Sequence, residues 1–131
     1  MSRELLFGHL HPDLACAVAL GFVHHPGVTV TADAITFVDP QRRTSQTQTD
    51  WLGGEDPLDV ITREYLSARR EAMQQVIRPG ASPWVVSAAR KVKETANARA
   101  VEAKQRGYQL LQERGILRHA SRAGLSVLQH T

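Results

Sequence analysis

A single cysteine, Cys16, stands in 131 residues, so the chain can form no intrachain disulfide and no cluster of thiolate ligands. Cys16 lies inside an apolar run, where a thiol behaves as a small hydrophobe rather than an activated nucleophile. No serine sits in a nucleophile elbow, and Gly53-Gly54 is an isolated pair rather than a phosphate-cradling loop. Aromatic residues are scarce at 5%, which leaves the core to Leu, Val, Ile and Ala and offers few stacking platforms for nucleic-acid bases. The longest apolar run, residues 14–23, is too short for a helix to cross a bilayer core of about 30 Å. Near the start, MSRELLFGHLHPDL has one early arginine and an apolar stretch cut by His9, His11 and Pro12, unlike a secretory signal. These absences lead us to expect a non-enzymatic protein without cofactor, catalytic residue or metal, held in the cytoplasm or an intracellular assembly rather than secreted.

What is present has the balance of an ordinary folded chain: 42% hydrophobic and 22% charged residues, enough for one domain with a modest core. The net charge of +3 hides a division. Residues 1–62 carry three basic side chains against eight acids, a net −5, and the remainder carries thirteen against five, a net +8. Such a division suits either a basic nucleic-acid face or an acidic face that meets the basic face of a neighbouring copy.

The pattern predicts a helix-rich α+β fold in four parts. Residues 1–39 form a head of one helix and a β-hairpin. The helix, over residues 12–25, has Pro12 and Asp13 suited to its first turn and Pro26-Gly27 to end it, with a buried strand as the competing reading of so short an apolar run. VTVTADAITFV, residues 28–38, alternates β-branched residues about Asp33, as a hairpin does, although its turn lacks glycine. A lone hairpin needs a partner surface, either the first helix or another subunit.

Residues 40–56 form a long polar arm whose apolar content is Trp51 and Leu52. These two either anchor the arm in a partner's pocket or fold back onto the chain's own core. Residues 57–115 form a helical hairpin. Its first helix is capped by Asp56 and Pro57, buries Leu58, Ile61, Tyr65, Ala68, Ala72 and Val76, and stops at Arg78-Pro79-Gly80. Ser82 and Pro83 then open a second helix that reaches Gly115, roughly 48 Å over residues 83–114. Residues 116–131 complete the chain as a short docking helix or strand interrupted at Gly124.

Val85, Ala89, Val92, Ala96, Ala100, Ala103, Gly107 and Leu110 draw a stripe of mostly small residues along the long helix. Alanine buries few methylenes, so this stripe gains more by packing lengthwise on another helix than by covering a small head. Trp51, Leu52, Val85, Ala89, Val92, Ala96, Ala100 and Ala103 are therefore the expected contacts with an oligomer or other protein partner.

Four of six histidines bracket residues 9–27, HLHPDLACAVALGFVHHPG. His9 and His11 could share a face of an extended segment with Asp13 as an oxygen donor. A helix between the pairs would set His11 and His24 about 20 Å apart, too far for one site. His24 and His25 read better as donors to the last carbonyls of the first helix.

Two functional expectations follow. The first is a homo-oligomeric assembly subunit, with the makeup of small ring-forming or shell-associated subunits such as those of viral particles. The alternative is a small DNA-binding or regulatory protein whose Arg90, Lys91, Lys93, Arg99, Lys104 and Arg106 contact phosphates. Glu94, Glu102 and Glu113 interrupt that basic surface, and no helix-turn-helix pattern accompanies it.

Overall fold

In a computed structural model the described residues are 12–39, 44–47, 55–119 and 126–127. They form a helix-rich α+β fold. Its elements in chain order are α1 (Pro12–Ala19), β1 (Val28–Val30), β2 (Ile35–Asp39), β3 (Thr44–Thr47), α2 (Pro57–Met73), α3 (Pro83–Glu113), β4 (Leu117–His119) and β5 (Ser126–Val127).

The first helix is shorter than the sequence pattern predicts. Gly21 adopts φ 85°, and its N–H donates to the Val18 carbonyl while the Phe22 N–H donates to that of Ala17. This left-handed stop satisfies the last carbonyls from the backbone itself. His24 and His25 therefore lie beyond the helix end and do not cap it. Instead the Nδ1 of His25 accepts the Gly27 N–H at 3.0 Å, fixing the turn into β1.

The β-hairpin solves its glycine-free turn with a threonine. The Thr31 hydroxyl oxygen accepts the N–H groups of Asp33 at 3.2 Å and Ala34 at 3.0 Å. β1 and β2 then pair antiparallel, with Val28 opposite Phe37 and Val30 opposite Ile35. The hairpin packs on the first helix, one of the two surfaces expected, and also on α2: Ile35 is buried with Ala15, Ala19 and Leu66, and Val28, Val30 and Tyr65 pack around them. Arg70 of α2 also reaches Asp33 in the turn, at 3.0 Å.

Part of the stretch expected as a loop is a strand. β3 pairs antiparallel with β2, Thr36 opposite Thr47 and Asp39 opposite Thr44, so the sheet order is β1-β2-β3. An edge strand is held by main-chain hydrogen bonds and needs no apolar alternation, which is why TSQT carries so little strand signal. Trp51 and Leu52 lie outside the described residues.

α2 begins as its sequence predicts, with Asp56 Oδ1 accepting the Leu58 N–H at 2.8 Å and Pro57 in the first turn. It ends at Met73, earlier than Arg78-Pro79-Gly80. Beyond Ala72 no residue of this segment is buried, and Val76, expected on the buried face, is 74% exposed. A helix that loses its tertiary partner loses most of what stabilises it.

α3 runs for 31 residues, about 46 Å, and ends as expected at Gly115, whose φ is 77°. Pro83 holds the first turn, while the Ser82 hydroxyl makes no capping bond. The most extensive contact in the molecule joins α2 to α3. A second core cluster of Cys16, Ala17, Leu20, Leu58, Leu111 and Leu117 ties α1 and β4 to that helical hairpin. β4 pairs antiparallel with β5.

Candidate functional site

Three interhelical ion pairs set the register of the hairpin. Arg114 meets Asp56 at 2.6 Å, Arg106 meets Glu64 at 2.5 Å and Arg99 meets Glu71 at 2.7 Å. Position numbers climb by eight and seven on α2 as they fall by eight and seven on α3, the mark of an antiparallel pair in steady alignment. Exposed pairs of this kind contribute little energy singly, but they report alignment unambiguously. Gly107 agrees with it, since a Cβ there would collide with Leu20 and touch Ile61 of α2 at 3.4 Å.

In that register the end of α2 lies opposite the middle of α3, at about residue 97. The first four turns of α3 therefore run on for roughly 20 Å without α2 beside them. Burial along α3 changes at the same place. No side chain from Pro83 to Thr95 is buried, whereas Ala96, Ala100, Ala103, Gly107 and Leu111 are. This projecting end, joined to α2 by the non-helical residues 74–82, is the candidate site.

Its surface is apolar and basic. Trp84 is 74% exposed, Met73 at the close of α2 is 65% exposed, and Ile77, Val85 and Val92 are exposed as well. Val85, Ala89 and Val92 share the helix face on which Ala96, Ala103 and Gly107 are buried, because each step of three or four residues returns to that face. The projecting face thus continues an interface that is filled inside the molecule. From residue 72 to 95 the chain carries Arg78, Arg90, Lys91 and Lys93 against one acid, Glu94.

The sequence-predicted residues divide along this boundary. Ala96, Ala100 and Ala103 are buried inside the chain, Ala89 is half-buried, and Val85 and Val92 remain outward. Among the predicted phosphate contacts, Arg99 and Arg106 are engaged by Glu71 and Glu64, and the Lys104 ammonium lies 5.5 Å from the Phe22 ring centroid. Arg90, Lys91 and Lys93 are exposed and form no ion pair among the described residues. The stripe pattern passed over Trp84, which lies off the stripe, and the periodicity of the preceding helix put Val76, which is exposed, on its buried face. The signal for Trp84 was available: a large aromatic in the first turn of an otherwise alanine-rich helix.

The opposite end of the hairpin is acidic. Arg114 bridges Asp56 and Asp13, the latter at 3.2 Å, and so joins the starts of α1 and α2 to the end of α3. The hydrogen bond from Arg114 holds the Asp56 carboxyl below its usual range. Burial, then the charges of Asp56 and Asp13, raise that of Asp59. Glu55 and Glu113 are exposed at the same end.

Burial pushes the Cys16 thiol up to about 12, so it holds almost no thiolate at neutral pH. Among the described residues no group of three or more His, Cys, Asp and Glu could hold a metal ion, and His9 and His11 lie outside them. No described helix is long and apolar enough to cross a membrane. No family model, curated protein or solved structure matches the chain.

Proposed function

We propose that the protein is a non-enzymatic assembly subunit that associates with further copies of itself, as a ring- or shell-associated building block does. The observation that carries this reading is the projecting end of α3, where an interface filled inside the chain continues outward with Trp84, Val85 and Val92 exposed. Covering an apolar side chain of this size contributes roughly 1.5–3 kcal/mol, so leaving several in water is costly to a monomer. The lone buried thiol suits a reducing compartment, and we place the assembly inside the cell.

Sedimentation velocity at micromolar concentration, in low and high salt, tests the proposal. Association at low salt is the expected result, and a strict monomer under every condition removes it. A second reading is favoured by the exposure of Arg90, Lys91 and Lys93, which leaves them able to meet phosphates. With Arg99, Lys104 and Arg106 engaged within the chain, that reading expects a shallow salt dependence, a slope of log K against log salt of about −3. Absence of any mobility shift with duplex DNA at low salt eliminates it.

A further inference from the structure

We infer that copies associate head to tail, the projecting end of α3 from one copy seating on the acidic end of the helical hairpin of the next. The inference rests on the reading of the protein as a self-associating subunit and names the two surfaces that meet.

Continuity is the first argument. Val85, Ala89 and Val92 prolong the face that packs on α2 from Ala96 onward, so the projecting end is shaped to take one more packed surface. Charge decides what that surface is. Residues 72–95 bear four cations against one acid, Glu94, so two projecting ends placed side by side would set mostly like charges against each other. The acids stand at the other end of the hairpin: Asp13, Glu55, Asp56, Asp59 and Glu113, five against Arg63, Arg114 and Arg118, with Arg114 already shared between Asp13 and Asp56.

From Lys91 to Glu113 the separation along α3 is roughly 33 Å, so one molecule cannot bring its own two ends together. A second copy can. Val60, exposed on α2 between these acids and the middle of the helix, gives the incoming apolar side chains a place to land. Two unlike surfaces on one chain make a heterologous contact, which closes into a ring or continues as a filament according to the rotation between copies.

Charge exchange on exposed positions tests this with the full chain. One variant reverses the projecting end, Arg90→Glu with Lys91→Glu and Lys93→Glu. The other reverses the acidic end, Glu55→Lys with Glu113→Lys, and leaves the cap Asp56 and the bridge Arg114 intact. Circular dichroism confirms that each is folded, and sedimentation velocity at low salt, after nuclease treatment, reads association. Each variant alone is expected to associate at least tenfold more weakly than the wild type, and an equimolar mixture of the two to recover wild-type association.

If the acidic-end variant associates as the wild type does, or if the first variant is rescued by wild type but not by the second variant, head-to-tail pairing is wrong. Loss of wild-type association on nuclease treatment assigns the projecting end to nucleic acid and also overturns it. A wild type that never associates defeats the assembly reading itself. Association that survives in both variants at the wild-type level defeats only the head-to-tail inference.

Discussion

Arg114 holds three elements with one side chain, its two terminal nitrogens reaching Asp13 at 3.2 Å and Asp56 at 2.6 Å. Asp56 is nearly half exposed, so solvent screens its pair, and with the more buried Asp13 contact added Arg114→Met is expected to lose about 1 kcal/mol in urea unfolding at pH 7. The same contact predicts a pH dependence. Because Arg114 lowers the folded pKa of Asp56, the stabilisation is fully present above the ordinary aspartate value of about 3.9 and is lost as pH falls through the folded value. Arg114→Met should therefore narrow its stability gap from the wild type below about pH 4, and an unchanged gap down to pH 2 would count against the bridge. Cys16 gives a second residue-scale test. With its thiol at about 12, alkylation by iodoacetamide at pH 8 is expected to be at least about a hundredfold slower in the folded protein than in urea. Equal rates would show that the thiol is not buried.

Elements come close at Gly107, where a side chain would run into Leu20 of the segment after α1 and press on Ile61 of α2. Gly107→Leu would gain about 1 kcal/mol in helix propensity and lose more, typically 1–3 kcal/mol, to overpacking in a site that has no room. A net lower urea midpoint is the expected outcome, and a higher one would mean that the helices are not so close. Much at this scale was legible in the chain. Asp56-Pro57 and Gly115 marked helix ends because caps are local chemistry, and the alternation about Asp33 marked a hairpin for the same reason. The end of α1 at Gly21 was missed because Pro26-Gly27 is an equally good local stop. β3 was missed because pairing at a sheet edge uses main-chain groups that every residue has. α2 was carried too far because residues 74–78 can be helical, and only the lack of a packing surface stops them.

For the whole molecule the decisive quantity is the offset between α2 and α3. It converts half of an alanine stripe into internal core and leaves the other half, with Trp84, facing outward. The proposed association through that surface would bind the folded state, so the thermal midpoint should rise with protein concentration, and rise less in high salt where the opposed charges are screened. A midpoint independent of concentration from micromolar to hundreds of micromolar would contradict self-association. The sequence by itself determined the helix-rich α+β class, the acidic and basic halves, the lengthwise small-residue stripe and the absence of a thiolate cluster, because composition, periodicity and capping are read residue by residue. Which part of the stripe is spent inside the chain, and which basic residues are left outward, was decided only by the tertiary structure. Ion pairs such as Glu64 with Arg106 and the approach at Gly107 fix how far one helix slides along the other, and no local pattern in either helix contains that distance.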